Sequence, residues 1–386
     1  MLNRKLLLIL LALALGVMVA CAPPAAAPAA EEAAPAAEEA SDDAGDAAAE
    51  GGAYAGETIE IIIPYGEGGG TDTWTRSIAP FLQKYLGDDV VVQPINIKGA
   101  SGVQGANEFG AVREHDGLSL VVTSGSNVFP YLLGQSAVQY DFNEFSGVMG
   151  SPVGGVVFIS PDTGVASVED LCATDAELVY GGVSPTGLDL VPLLAFELLG
   201  LETIPILGYD GKGAARVAFE QGETNIDYQT SPAYLKNVTP LVEEGSATPL
   251  FAFGVLDANG DVVRDPVFSD MPSFAEVYET CVGEAPSGVE YDAFKAALAA
   301  GFAAQKNMWV HGDAPEDRIA ELTAAAEMVL ADEEFLELAG NLIGDYQFYA
   351  GADNVGAAFG AASQLPAESF DWLVGFLADE YEVVIE

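Results

Sequence analysis

Backbone amides, hydroxyls and glycines are the groups in this sequence best placed to do chemistry, and they recur in six short loops. The first is Pro64-Tyr65-Gly66-Glu67-Gly68-Gly69-Gly70-Thr71-Asp72, with Arg76 one helical turn on. The second is Lys98-Gly99-Ala100-Ser101-Gly102, the third Thr123-Ser124-Gly125-Ser126-Asn127, and the fourth Gly182-Val183-Ser184-Pro185-Thr186-Gly187. Gly208-Tyr209-Asp210-Gly211-Lys212-Gly213 and Tyr228-Gln229-Thr230-Ser231 complete the set. Consecutive glycines let backbone approach a ligand, and the free N–H groups of a helix's first turn point at whatever sits ahead of it. Such groups hold an anion without reacting with it. Any one of these loops alone is an ordinary strand-to-helix turn, and Asp72 alone an ordinary helix cap. Six at one end of a set of strands point to a pocket built from amides and hydroxyls.

Catalytic and metal-binding readings lack parts. Gly70-Thr71-Asp72 has no lysine where a phosphate-binding P-loop needs one. A dinucleotide fingerprint starting at Gly66 and Gly68 meets Thr71 where its third glycine belongs. Gly182-Val183-Ser184-Pro185-Thr186 ends in threonine where a nucleophile elbow ends in glycine. His115 and His311 are the only imidazoles, the first expected in a solvated turn and the second as a cap or packing group. Asp257-Ala258-Asn259-Gly260-Asp261 opens like a calcium loop, but Val262 and Phe268 occupy the positions of its glycine and its last glutamate. A polar hairpin turn is the expected reading there. No cofactor and no metal is expected, and the chain is read as non-catalytic.

The loops must be positioned by a scaffold, and the pattern supplies one. Short β-rich runs occur at 59–63, 90–92, 118–122, 156–159, 178–180, 203–206, 225–228 and 250–253. Helical patterns lie between them, at 71–85, 191–199 and 213–219, and dominate afterwards at 291–304 and 315–330. Apolar strands alternating with helices predict an α/β fold with parallel-rich sheets covered by helices. In such sheets ligands bind beyond the carboxyl ends of the strands, which is where the six loops fall. At 386 residues and 50% hydrophobic content the chain is long enough for about two domains. Its formal charge of −46, from 13 basic and 59 acidic residues, excludes a nucleic-acid partner, which needs clustered Lys and Arg. The expected reading of that charge is a solvated acidic surface.

The N-terminus reads as an export address. Arg4 and Lys5 precede an apolar run from Leu6 to Ala20, too short to span a bilayer comfortably. Met18-Val19-Ala20-Cys21 resembles a bacterial lipoprotein signal, which implies a signal peptide over 1–20 and lipidation at Cys21. Residues 21–56 are mostly Ala, Pro, Glu, Asp and Gly, a composition that cannot bury enough apolar surface to order itself. They are expected to tether the rest to the outer face of the bacterial cell membrane, in periplasm or at the cell surface, with membrane contact through the lipid alone. In an exported protein Cys172 and Cys281 are either a disulfide or two buried thiols, and their spacing does not decide between these.

The first loop and its flanks resemble a family. Ile63-Pro64-Tyr65-Gly66 through Asp72 and Arg76 is similar to the strand-to-helix signature of solute-binding receptors of tripartite tricarboxylate transporters. Gly99-Ala100-Ser101-Gly102 after a valine strand is similar to the family's Gly-Ala-Gly-Gly signature. Asp116-Gly117-Leu118-Ser119-Leu120 and Ser269 to Glu276 resemble two weaker ones. The resemblance implies a two-domain, flytrap-shaped periplasmic-binding-protein fold, with one domain over 57–155 and 240–386 and the other over 156–239. It further implies a monomer that holds a small carboxylate between the domains and hands it to a membrane permease of two subunits. Family binding positions fall on Tyr65, Gly69, Gly70, Thr71, Asp72, Ala100, Ser101 and Gly102, then Ser184, Thr186, Gly187, Tyr228 and Gln229; Thr123 and Ser124 join them as loop hydroxyls. Glu67, Asp189 and Asp210 stand where the family usually has Pro, His and Lys. These departures predict a pocket less basic than typical, suited to a monocarboxylate or to an acid carrying an amine or amide. The competing reading is an envelope scaffold lipoprotein with a vestigial cleft.

Overall fold

The structure, a computed structural model, describes residues 52–385. The predicted signal peptide, Cys21 and the tether up to residue 51 lie outside the described residues.

Two mixed sheets organise the chain. The first has the order β13-β4-β12-β3-β1-β2, with β1 Thr58–Ile63, β2 Val91–Asn96, β3 Ser119–Thr123, β4 Phe145–Ser151, β12 Lys306–His311 and β13 Tyr349–Ala350. The second has the order β7-β6-β8-β5-β9, with β5 Gly155–Ile159, β6 Leu178–Gly181, β7 Thr203–Ile206, β8 Ile226–Thr230 and β9 Thr248–Ala252. A two-stranded hairpin, β10 Val255–Leu256 and β11 Val262–Val263, carries the Asp257 turn, where the Asp257 carboxylate accepts from the N–H groups of Asn259 and Asp261. That is the polar hairpin expected from the sequence.

The β1, β2, β3 and β6, β7, β8 groups pair in parallel, as strand–helix–strand units must. The sheets are nevertheless mixed, because strands that arrive from the opposite end complete them: β12 runs antiparallel to both β3 and β4, and β5 antiparallel to both β8 and β9. β9 extends the second sheet beyond residue 239 by pairing with β5. Ile59, Ile61, Ile62 and Ile63 of β1 are all buried, so both faces of the first sheet are covered. Helix α1, Gly70–Leu86, covers one of them with Trp74, Ile78, Phe81, Leu82 and Leu86, one apolar stripe at helical spacing. Trp74 is fully buried and its indole N–H donates to Ser151 Oγ at 3.0 Å, which fixes the end of β4 where the chain crosses to the second sheet.

Residues 53–56, assigned to the tether from sequence, dock against the body. Tyr54 is fully buried, donates to Gly117 C=O at 2.9 Å and lies 5.3 Å from the Arg318 guanidinium. Composition missed this because one aromatic residue and the Ala53 backbone, bonded to Glu321 and Arg318, carry the contact. Among the described residues no helix is long and apolar enough to cross a membrane.

Cys172 and Cys281 form a disulfide across 109 residues of chain. Closing a loop of that length restricts the unfolded chain strongly, so reduction, or Cys172→Ala with Cys281→Ala, is expected to lower unfolding free energy by about 2–5 kcal/mol. Urea titration with and without reductant measures it. An unchanged midpoint contradicts it.

Candidate functional site: a cleft between two sheets

The carboxyl ends of β1, β3, β6 and β8 open toward one cleft, and the antiparallel strand β12 adds to it from the other direction. Asn307 of β12 pairs with Thr123 at the end of β3, so Gln305 and Lys306 reach the cleft level with Ser124. A cavity of about 40 Å³ lies there. On the first-sheet side it is bounded by Tyr65, Gly69 to Asp72, Ser124 and Ser126, with Gln305 and Lys306 at its floor. Tyr228, Thr230, Lys212, Val183 and Leu188 close it from the second sheet.

The chain turns into α1 at Gly69, and the first intrahelical bond runs from Thr73 N–H to Gly69 C=O at 3.0 Å. The amides ahead of it have no partner within the helix and sit at the positive end of its dipole. Asp72 does not cap them. Its carboxylate turns aside to Arg76 at 2.8 Å, Asn96 Nδ2 at 3.1 Å and the Gly68 N–H at 3.1 Å. Arg76 thus neutralises the acid nearest the helix start.

Lys306 is the group the sequence reading missed. It is 1% exposed, donates to Thr71 Oγ1 at 2.8 Å and pairs with no carboxylate among the described residues. Burial holds its ammonium well below the usual lysine range. Gln305 beside it is fully buried, with neither amide atom bonded. The Tyr228 hydroxyl is also buried without a partner. Buried polar groups are normally satisfied, so the unbonded Gln305 amide and Tyr228 hydroxyl on one cavity point to a site that a polar ligand completes.

Lys212, the other cleft cation, is already engaged. It pairs with the buried Asp227, lies 3.7 Å from Asp189, donates to Gly181 C=O at 2.8 Å, and sits 4.5 Å from the centre of the Tyr228 ring. Burial raises the Asp227 carboxyl, with Lys212 pulling the other way. Asp189 accepts from Tyr180 and from the N–H groups of Val183 and Ser184, which shapes the fourth loop.

Of the residues expected from sequence, Tyr65, Gly69, Gly70, Thr71, Asp72, Ser124 and Tyr228 line the cavity. Ala100, Ser101, Gly102, Thr123, Ser184, Thr186, Gly187 and Gln229 stand outside its lining. Their groups do other work. Gly102 lies under Tyr65, where a Cβ would come within 2.5 Å of the ring, and its carbonyl accepts from Asn127. Ala100 and Ser101 hold positive φ of 47° and 56°, the strained link that aims this support. Thr123 accepts the Trp309 indole at 2.8 Å. Ser184 and Thr186 bond each other at 3.1 Å, and Gln229 donates to Lys212 C=O and Asp227. Tyr65, bonded to Ser124 and Asn127, joins the first loop to the third.

The two sides meet directly. Gly66 N–H donates to Asp210 C=O at 3.3 Å, Leu188 N–H to Ser126 Oγ at 3.0 Å, and Lys98 pairs with Asp210 on the rim. Gly213 at the start of the helix Lys212–Glu220 faces the backbone of Glu67, Gly68 and Gly69 so closely that a Cβ would lie 2.6 Å from the Glu67 carbonyl oxygen.

No family model matches. The chain is 32% identical over 237 residues to Protein BugT of Bordetella pertussis, covering 58% of this chain and 67% of that protein. The chain belongs to the Bug/TctC family of solute-binding receptors of tripartite tricarboxylate transporters. That is a family of non-catalytic periplasmic binding proteins. The fold agrees: the periplasmic binding protein BugD superposes with a TM-score of 0.64 at 17% identity, over 82% of this chain and 97% of that one. MatC of Rhodopseudomonas palustris with bound malate gives 0.58 at 18%, over 79% and 97%. A second R. palustris protein, with adipate, gives 0.61 at 19%, over 81% and 97%.

Both histidines lie elsewhere. His115 and His311 stack with ring centres 3.2 Å apart, at the end of the first sheet remote from the cleft, with Asp313 carboxylate oxygen 3.9 Å from each Nδ1. His115 is exposed, as expected; His311 is packed and 4% exposed. Burial and the neighbouring His115 lower the His311 pKa, while Asp313 and Glu144 oppose. A histidine depressed in the folded state contributes stability above its unfolded pKa of about 6.5 that is lost as pH falls toward the folded value. Urea midpoints should therefore drop between pH 7 and 5.5, and less so in His311→Gln. Parallel pH profiles for the two proteins contradict this.

Proposed function

We propose that the chain is an exported, lipid-anchored receptor, held at Cys21 on the outer face of the cell membrane, that captures a small organic carboxylate between its two lobes. It then delivers the solute to a two-subunit membrane permease. The observation that carries the reading is Lys306, a buried ammonium without a carboxylate partner among the described residues, set against the first turn of α1. A carboxylate there accepts from the helix amides and Lys306 together, and offsets the burial of both. The carboxylates named for MatC and the adipate-bound relative agree with an acid as ligand class. Among the site residues named from sequence, Tyr65, Gly69, Gly70, Thr71, Ser124 and Tyr228 form the binding surface in this reading. Asp72, Ala100, Ser101, Gly102, Thr123, Ser184, Thr186, Gly187 and Gln229 shape it.

Calorimetry of the purified chain with a panel of mono-, di- and tricarboxylates tests the reading. At least one acid is expected to give a one-to-one isotherm. An absence of heat with every acid would favour the envelope scaffold with a vestigial cleft.

A further inference from the structure

We propose that the cleft selects a compact 2-hydroxy or 2-oxo monocarboxylate, of two or three carbons, and rejects the dicarboxylates. This rests on the reading of the cleft as a carboxylate site, and three separate observations carry it further.

The first is charge. Of the cations around the cleft, Arg76 is bound to Asp72, Arg216 beside Gly68 pairs with Glu220, and Lys212 is held by Asp227 with Asp189 beyond it. Of the two cations that line the cavity, Lys306 is the one without a carboxylate partner among the described residues. A second carboxylate on the same ligand would find no unpaired cation and would approach Asp72 or the Asp189–Asp227 pair. Like charges at that range in a desolvated cleft are repulsive.

The second is hydrogen bonding. Gln305 presents an unbonded donor and an unbonded acceptor next to Lys306, and Tyr228 adds a hydroxyl from the opposite lobe. A plain alkanoate leaves these groups orphaned. A hydroxyl or keto oxygen on the carbon beside the carboxylate lies within about 3 Å of the carboxylate oxygens and engages them with the same small ligand. A site built to bond such an oxygen discriminates strongly against analogues that lack it, because the site's own groups are then left unpaired.

The third is space. The cavity of about 40 Å³ accommodates on the order of three or four water-sized groups, at roughly 10–15 Å³ each. A six-carbon diacid exceeds it while the lobes keep their direct contacts through Ser126, Leu188, Gly66 and Asp210.

The test is calorimetry of the full chain against glycolate, lactate, pyruvate, acetate, succinate, malate and adipate, repeated on Gln305→Leu. Lactate or glycolate is expected to bind at least thirtyfold tighter than succinate, malate or adipate, and tenfold or more tighter than acetate. Gln305→Leu should reduce the hydroxy-acid over acetate ratio to within a factor of about three. Tighter binding of a dicarboxylate than of any monocarboxylate overturns the inference and leaves the carboxylate reading intact. So does an unchanged hydroxy-acid preference in the variant. No binding by any acid overturns the carboxylate reading itself. The wild-type ratios decide the matter even where Gln305→Leu does not fold.

Discussion

Lys306→Met is expected to remove carboxylate binding while making the unliganded protein more stable. The wild-type ammonium is 1% exposed and held only by Thr71 Oγ1, without a counter-charge among the described residues. Even complete buried ion pairs are often replaced by well-packed apolar side chains with no loss, or with a gain of about 1–4 kcal/mol, and Lys306 has no counter-charge to lose. A carboxylate deprived of its buried partner loses about 3–5 kcal/mol, about two to four orders of magnitude in Kd. Thermal unfolding without ligand should therefore shift upward and calorimetric affinity should collapse. A proton readout separates a binding role from a packing role. Burial disfavours the charged form of Lys306, and a bound carboxylate favours it. Binding enthalpies of the wild type should then depend on the ionisation enthalpy of the buffer. Lower stability in the variant with unchanged affinity contradicts the role given to Lys306.

Gly213→Ala is expected to separate binding from folding in another way. Gly213 lies in the first turn of its helix, where alanine adds up to about 1 kcal/mol of helix propensity. The added Cβ, however, would lie 2.6 Å from the Glu67 carbonyl oxygen and 3.0 Å from Gly69 N. Both are backbone atoms of the opposite lobe and cannot rotate away. Overpacking of this kind costs about 1–3 kcal/mol, paid only when the lobes meet. Affinity should fall by about 5- to 150-fold, while the unliganded melting temperature stays or rises. Small-angle scattering should show the wild type compacting on ligand addition more completely than the variant. Full compaction and wild-type affinity in the variant would show that Gly213 does not govern closure.

What the sequence made legible follows from how many positions share one message. β1 reads as a strand because four isoleucines sit within Ile59–Ile63, and α1 reads as a helix because its apolar stripe runs from Trp74 to Leu86. The loop between them was identified by its glycines, and Tyr65, Gly69, Gly70 and Thr71 do line the cavity. Glycine and hydroxyl content did not distinguish lining from support. Gly102 lies under Tyr65, and Thr123 accepts the Trp309 indole N–H.

β12 was invisible for a different reason. Lys306-Asn307-Met308-Trp309-Val310-His311 is buried along its whole length, so its polar residues do not alternate with apolar ones. A helical pattern runs straight up to it. β4, Phe145–Ser151, carries two glycines and two serines and reads as a loop. Losing β12 from the reading lost Gln305 and Lys306 with it, since only an antiparallel neighbour of β3 brings that end of the strand to the cleft. The one signal available was a lone lysine beside a glutamine after an apolar helix in a chain with 13 basic residues.

A crystal structure of the chain grown with lactate tests the placement of the anion most directly. The carboxylate is expected within hydrogen-bond distance of Lys306 Nζ and of an amide in the Gly69–Asp72 turn, with the hydroxyl on Gln305. A lactate bound away from Lys306, or an ordered cleft holding Lys306 against a protein carboxylate in its place, would contradict that placement.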